Sequence, residues 1–206
     1  MRGDPGRSML TVAQVLEPLA RHRTDEVVVT TMSVVRPWGL LSSSDLDFAS
    51  ADSAMGHAAD LALGIALAQP GRRVVCLNGD GSMLMCLGTL ATAVGAAASN
   101  FVLVVCDNGE YEITGHQPVA ASGRVNYAAM AEAAGFRAVY RFDDAHAWAE
   151  AVPDVLKDIG PTFVHVVTEP GQQGPIGRSG NERARYLQHS LAEWSEIMRA
   201  ALSSGV

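Results

Sequence analysis

The feature that most constrains the fold is a repeated alternation of short apolar runs with alanine-rich segments of helical spacing. Two of the runs, 101–106 and 162–167, are apolar with almost no alternation, which is typical of strands covered on both faces. The pattern therefore predicts an α/β fold of three α/β/α layers, with a mostly parallel sheet of about six strands in the middle. The predicted strands are 27–31, 47–49, 73–77, 101–106, 139–140 and 162–167.

The segments between these runs predict helices at about 9–22, 55–68, 82–98, 127–134, 145–156 and 181–202. A glycine-rich segment at 169–180 is interpreted as a loop over a site or an interface, not as a domain boundary. A chain of 206 residues is long enough for one domain and short for two. Residues 1–206 are therefore predicted to form a single domain, with residues 1–8 as a disordered tail.

Composition and charge argue against several classes of protein. The formal net charge of −7 disfavours nucleic-acid binding, which calls for a basic surface. No apolar run reaches the roughly 18–20 residues of a membrane span, and no apolar signal segment follows the N-terminus. The cysteines Cys76, Cys86 and Cys106 lie in apolar stretches and cannot all pair. We therefore expect a reduced, cytoplasmic protein that binds neither nucleic acid nor membrane.

The first candidate binding segment follows the predicted strand 73–77. Gly79 and Gly81 flank Asp80, and such glycines let the backbone approach a ligand closely. The helix that begins next, near Ser82, has free N–H groups suited to phosphate, and Asp80 could bind a divalent cation. The same residues also fit an ordinary tight turn with an aspartate cap.

A second candidate segment follows the predicted strand 101–106. The side chain of Asn108, together with a carbonyl of the turn, could complete an oxygen cage for the same cation. Asp80 and Asn108 are 28 residues apart, which is the length of one helix plus one strand. Neighbouring strand ends meet at one edge of a parallel sheet, so the spacing favours a shared site over a simple Asn-Gly turn.

These two segments together resemble the thiamine diphosphate signature, which begins with GDG and ends with NN. Here Gly79-Asp80-Gly81-Ser82 is followed after 24 residues by Asp107-Asn108, with Asp in place of the first Asn. The resemblance implies that thiamine diphosphate and Mg²⁺ are the cofactors. It implies metal ligation by Asp80, the Asn108 side chain and the Glu110 carbonyl, and cofactor contacts from Gly79, Gly81 and Ser82.

The resemblance also assigns residues upstream of the metal motif. Counting about 25 residues back from Asp80 leads to Met55, where the family has an apolar residue that bends the cofactor. The Ser53 carbonyl would accept a hydrogen bond from the pyrimidine amine, and His57 could reach the diphosphate or the substrate. The alternatives are a core methionine and a histidine that starts a helix.

Residues 55–58, 88–92 and 107–118 resemble phosphonopyruvate and sulfopyruvate decarboxylases, and the similarity extends over roughly 26–190. Tyr111 is expected at the cofactor, and the residues after it are expected beside the substrate. Thr114 stands where pyruvate decarboxylases have a catalytic Glu, and Glu112 is a nearby acid. His116 replaces the usual Gly or Asn. The resemblance therefore makes Met55, Glu112, Thr114 and His116 the candidate catalytic residues.

In this family the Glu that activates the pyrimidine belongs to a separate domain. The 54 residues before Met55 are too few for a domain of about 150 residues. We therefore expect the diphosphate-binding subunit of a two-component 2-oxo acid decarboxylase. Its partner would be a pyrimidine-binding α subunit that carries the activating Glu, in an α₂β₂ hetero-oligomer or a multiple of it.

Three alternatives stay open at this point. A carboligase subunit would use the same cofactor, and a non-catalytic scaffold subunit would bind the cofactor without turnover. A Rossmann-type nucleotide-binding domain is disfavoured, because no G-x-G-x-x-G turn follows the first strand.

Overall fold

A computed structural model describes residues 9–50 and 55–203 of the chain. The predictions for residues 1–8 and for Ser53 lie outside these ranges. Within them, every helix is too short or too polar to traverse a lipid bilayer. The helices are α1 Val12–His22, α2 Val35–Leu41, α3 Ala58–Ala68, α4 Asp80–Met85, α5 Gly88–Ala96, α6 Tyr127–Ala134, α7 Ala145–Val155 and α8 Leu191–Ser203. The strands are β1 Val27–Thr30, β2 Asp47–Ala49, β3 Val74–Gly79, β4 Phe101–Asp107, β5 Glu110–Tyr111, β6 Gln117–Pro118, β7 Ala138–Phe142 and β8 Thr162–Val167.

Six of the strands form one parallel sheet in the order β2-β1-β3-β4-β8-β7, which confirms the predicted fold class. The chain leaves β1 toward β2 at one edge and then returns to place β3 on the other side of β1. Such a reversal opens a crevice at the carboxyl ends of the two strands. The carboxyl ends of β1, β3 and β4 are therefore the expected place for a ligand.

The sheet has a hydrophobic layer on each face. Alternate strand residues such as Val28 and Val102 pack against α1, α2 and α7, whereas Val29 and Leu103 pack against α3, α5 and α6. Because both faces are covered, residues 101–106 of β4 and 162–166 of β8 are all buried, and the sequence shows almost no alternation there. The prediction that residues 1–206 are a single domain stays a prediction.

Some element boundaries differ from the predicted ones. The helix predicted at 82–98 is two helices, since the backbone leaves the helical region at Cys86. The helix predicted at 181–202 begins only at Leu191, after a loop and a short 3-10 turn. Helix α2 and the small antiparallel pair β5–β6 were not predicted, because elements of seven and two residues are too short to show a period.

Candidate active site

A pocket opens at the carboxyl ends of β1, β3 and β4. It brings together most of the residues predicted from the sequence, with neighbours at the end of β1 and after β5. The predicted residues that line it are Met55, Gly79, Asp80, Gly81, Ser82, Asn108, Glu110, Tyr111, Glu112 and Thr114.

Asp80 is a buried carboxylate, with only 2% of its surface exposed. Its Oδ2 accepts a hydrogen bond from the Gly109 amide at 3.0 Å. Burial, together with the neighbouring Asp107 carboxylate, raises the pKa of Asp80 to about 7. Among residues 9–50 and 55–203, no Arg, Lys or His forms an ion pair with Asp80. The pocket therefore holds a buried acid for which the described chain provides no cation.

The Asn108 side chain is held in one orientation by two hydrogen bonds. Its Nδ2 donates to Glu112 Oε2 at 3.0 Å, and its Oδ1 accepts from the Glu110 amide at 3.1 Å. Only the amide nitrogen can donate to a carboxylate, so these partners fix which end is the oxygen. Because β3 and β4 are paired neighbours, Asp80 and Asn108 both reach the same pocket.

Glycine is suited to the two positions that flank Asp80 for different structural reasons. A Cβ on Gly79 would meet no atom within 4 Å, so a side chain there would occupy open space in the pocket. A Cβ on Gly81 would lie 2.4 Å from Cε1 of Tyr111. Gly79 thus leaves room for a ligand, and Gly81 lets the Tyr111 ring pack against the first turn of α4.

Met55 lines the pocket at the start of a 3-10 turn, Met55–His57. The hydroxyl of Ser82 donates to the Met55 carbonyl and ties this turn to α4. The predicted wedge residue and the first turn of α4 are therefore held together by a direct contact.

Glu112 is buried and accepts hydrogen bonds only from protein groups in the described ranges. Besides Asn108, its donors are the backbone amides of Gly171 at 3.1 Å and Gln173 at 2.7 Å. These amides belong to the segment 169–180, which confirms its interpretation as a loop over the site. These contacts hold Glu112 against Asn108. Its predicted catalytic role stays a prediction.

Two predicted histidines are absent from the pocket lining of the described chain. His57 Nδ1 lies 2.8 Å from Asp60 Oδ2, and His116 Nδ1 lies 2.5 Å from Glu110 Oε1. Thr114 does line the pocket, and its hydroxyl donates to the Tyr111 carbonyl at 3.4 Å. Of these three predicted residues, the structure therefore places only Thr114 in the pocket lining of the described chain.

The end of the first strand, 31–33, is a further candidate phosphate contact from the sequence, and Met32 and Ser33 line the pocket. Ile113, within the stretch expected beside the substrate, lines it too. What sequence reasoning missed is the backbone of Met32, whose φ of 51° lies in the left-handed region, because a non-glycine residue gives no sequence signal of positive φ.

A second acid, Asp107, is half-buried and neighbours Asp80. Asp107 Oδ2 is 2.9 Å from His165 Nε2, and the edge of the Tyr127 ring packs against the same histidine. His165 Nδ1 has no hydrogen-bond partner in the described part of the chain. In the sequence, Asp107 is noticeable only because it stands where the thiamine diphosphate signature has the first of its two Asn residues.

The family model described as "Thiamine pyrophosphate enzyme, C-terminal TPP binding domain" matches residues 29–166. A phosphonopyruvate decarboxylase of Streptomyces viridochromogenes is 39% identical over 178 residues, which cover 84% of this chain and 44% of that protein. A sulfopyruvate decarboxylase subunit beta of Methanothermobacter thermautotrophicus is 44% identical over 117 residues, which cover 57% of this chain and 60% of that subunit. The chain thus spans less than two thirds of the length of these relatives.

Among solved structures, benzoylformate decarboxylase of Polynucleobacter necessarius superimposes with a TM-score of 0.68 at 21% identity. The superposition covers 85% of this chain and 36% of that one. At this identity the likeness establishes the shared fold.

Proposed function

Because this chain belongs to the thiamine pyrophosphate enzymes and matches their C-terminal TPP binding domain, we propose that its pocket binds the diphosphate of thiamine diphosphate through Mg²⁺. The observation that carries the proposal is Asp80, a buried carboxylate with no cationic partner in the described chain. A divalent cation bound between Asp80 and a diphosphate would neutralise both.

The donor set fits Mg²⁺. Asp80 offers a carboxylate oxygen, Asn108 an amide oxygen and Glu110 its main-chain carbonyl, and hard cations prefer oxygen ligands of this kind. The hydrogen bond from Asn108 Nδ2 to Glu112 supports this assignment, since it leaves the amide oxygen as the end available to a metal.

The remaining pocket residues would hold the organic part of the cofactor. Gly79 leaves open space beside Asp80, and the first-turn amides of Gly81 and Ser82 would contact the diphosphate. Met55 would press against the cofactor between its two rings. Its contact with Ser82 supports this role, because it fixes the turn that carries Met55 relative to α4.

The proposed reaction is the decarboxylation of a small 2-oxo acid. When bound, thiamine diphosphate would supply the nucleophilic carbon and the electron sink that decarboxylation of a 2-oxo acid requires. The sequence similarity to phosphonopyruvate and sulfopyruvate decarboxylases supports this substrate class. Within this chain, Glu112 would hold Asn108 and the 169–180 loop in place, and Thr114, which lines the pocket, would face the substrate.

A second polypeptide would complete the site by providing the Glu for the pyrimidine ring. Three relatives carry the name sulfopyruvate decarboxylase subunit beta, which supports a partner subunit for this chain too. Helices α3 and α4 offer apolar area for such a contact, because they expose the side chains of Leu61, Leu67 and Met85. An α₂β₂ assembly or a multiple of it is the proposed arrangement.

The test is decarboxylation of a panel of 2-oxo acids by the chain alone and mixed with its pyrimidine-domain partner. Turnover is expected only in the mixture. Met55→Ala should lower kcat much more than cofactor affinity, because the residue sets a geometry and does not anchor phosphate. Full turnover by the chain alone contradicts the two-component proposal, and cofactor binding without turnover in the mixture favours a scaffold subunit.

A further inference from the structure

A second cluster of ligand-type side chains lies where the 3-10 turn Met55–His57 meets α3 and the end of α4. His57 Nδ1 is 2.8 Å from Asp60 Oδ2 and 3.5 Å from Cys86 Sγ. One ligand atom from each of the three residues lies within 4.8 Å of the other two. The three side chains come from points up to 29 residues apart in the chain, so the fold brings them together.

The arrangement around the imidazole distinguishes between two kinds of site. In a thiol–imidazole–carboxylate triad the sulfur and the carboxylate use opposite ring nitrogens. Here both are nearest to the same atom, Nδ1, while Cys86 Sγ is 3.8 Å from Nε2. This arrangement does not fit such a triad, and it places three ligand-type atoms around one point that a cation could occupy when Nδ1 is unprotonated.

The distances agree with coordination of a small tetrahedral ion. Typical Zn–S and Zn–N bonds put the sulfur and nitrogen of a tetrahedral zinc site about 3.5 Å apart. The observed separation of Cys86 Sγ and His57 Nδ1 is 3.5 Å. A modest outward movement of the Asp60 carboxylate oxygen would complete the third ligand position.

Two neighbouring residues support the cluster. The Thr89 hydroxyl donates to Asp60 Oδ1 and leaves Oδ2 directed to His57. Such outer hydrogen bonds hold metal-binding carboxylates in place. A Cβ on Gly56 would lie 2.9 Å from Cys86 Sγ, so glycine at this position allows the sulfur to approach His57.

We infer that His57, Asp60 and Cys86 form a binding site for a thiophilic divalent cation of the Zn²⁺ class, separate from the pocket that contains Asp80. Thiolate and imidazole ligands select Zn²⁺ over Mg²⁺, which prefers oxygen ligands only. Neither His57 nor Cys86 lines the Asp80 pocket in the described chain. Three protein ligands leave the fourth position to water or to a group from another molecule.

The ion would join three elements that carry or flank the cofactor pocket. The turn of His57 also contains Met55, α3 contains Asp60, and Cys86 ends α4. A bound cation would therefore hold the turn of Met55 through His57, in addition to its contact with Ser82.

The experiment titrates the full-length, metal-free chain with Zn²⁺ and, in parallel, with Co²⁺ followed by absorption. We expect one tight Zn²⁺ per chain, a thiolate-to-cobalt charge-transfer band, and no displacement by millimolar Mg²⁺. Cys86→Ser should remove the band, and His57→Ala should weaken Zn²⁺ affinity at least tenfold. Thr89→Val should weaken it by about tenfold, as loss of an outer hydrogen bond does in other sites.

Matched controls separate this site from non-specific binding. Cys76→Ala removes a buried thiol, and His146→Ala removes an exposed histidine that lies 3.3 Å from Glu150 without a sulfur nearby. Both should retain Zn²⁺ affinity, as should Asp80→Asn, which tests the Mg²⁺ pocket independently. Circular dichroism verifies the fold of each variant, and Asp60→Asn serves if Cys86→Ser does not fold. An absent cobalt–thiolate band, or equal Zn²⁺ affinity in Cys86→Ser or Asp60→Asn and wild type, overturns the inference.

Discussion

Two buried aspartates of this sheet, Asp47 and Asp80, are equally inaccessible to solvent, at 2% exposure each. Asp47 is surrounded by donors. Arg23 Nη1 lies 2.6 Å from it, Trp38 Nε1 3.0 Å and Ser42 Oγ 2.5 Å. Asp80 has a backbone amide on one oxygen, a second carboxylate beside it, and no cation in the described chain. The same residue type at the same burial is thus neutralised by the fold in one place and not in the other.

This difference separates a structural charge from a functional one. A buried charge without a partner costs several kcal/mol in general, so a fold retains it where a ligand provides the opposite charge. Perturbed acids in a pocket are candidates for binding sites for this reason. Asp47 joins β2 to α1 and α2, whereas Asp80 is available to a metal ion.

The largest effect on stability is expected for Asp47→Asn. Removing one partner of a buried ion pair leaves the Arg23 charge unmatched, which typically costs about 3–5 kcal/mol. Urea unfolding of the metal-free chain measures the loss. The control Asp25→Asn removes an exposed partner of Arg72 at 3.8 Å and should cost less than about 1 kcal/mol. Equal losses of unfolding free energy in Asp47→Asn and Asp25→Asn would contradict the comparison of Asp47 with Asp80.

A smaller loss of stability is expected for Glu112→Gln. Asp47 has a cationic partner and Asp80 has none in the described chain, whereas Glu112 lies between them because its partners are neutral donors. In Glu112→Gln the new amide group faces at least one N–H donor, so a hydrogen bond of Asn108, Gly171 or Gln173 is lost. The expected cost is about 1–3 kcal/mol, with faster proteolytic cleavage in 169–180. Glu169→Gln, an exposed position in the same loop, is the matched control and should be cleaved at the wild-type rate.

Asp80→Asn should behave oppositely to Asp47→Asn in the metal-free chain. Neutralising Asp80 removes its desolvated charge and its repulsion with Asp107, so unfolding free energy should stay constant or rise by about 1 kcal/mol. Denaturant unfolding in a chelating buffer at pH 8 tests this. A loss of more than about 2 kcal/mol would make Asp80 a structural residue like Asp47.

The smallest effect concerns a fourth acid, Glu182, which is half-buried and paired with Arg36 at 2.7 Å. The hydrogen bond from Arg36 lowers the pKa of Glu182 below its ordinary value. The pair therefore stabilises the fold above the unfolded glutamate pKa of about 4.3, and this contribution disappears as the pH falls through the lower folded value.

Comparing wild type with Glu182→Gln measures this contribution. The difference in unfolding free energy should be at most about 1 kcal/mol at pH 7 and should shrink toward zero by about pH 3. A difference that grows on acidification has the wrong sign for a lowered pKa and contradicts the assignment.

Local patterns predicted the fold well. The runs at 101–106 and 162–167, apolar with almost no alternation, identified buried parallel strands, and the spacing of Asp80 and Asn108 placed these two side chains at neighbouring strand ends. Contacts between distant segments were not predictable. Glu112 binds amides 59 and 61 residues away, and nothing in the local sequence of either segment encodes that pairing.

The break between α4 and α5 shows a second limit of sequence reasoning. The stretch 82–98 contains no proline and reads as a continuous helix, yet the backbone departs from helical geometry at Cys86. Tertiary contacts there outweigh a weak local preference. The same departure brings Cys86 beside His57, so the proposed zinc site could not be found from helical periodicity.

The most direct test of the central claim is calorimetric titration of thiamine diphosphate into wild type and Asp80→Asn, each with Mg²⁺ and with excess chelator, in the presence of the partner subunit. The account predicts tight binding only for wild type with Mg²⁺, and a loss of at least 100-fold in the other three titrations. Tight binding by wild type in chelator, or wild-type affinity in Asp80→Asn, would contradict a metal ion as the missing counter-charge of Asp80.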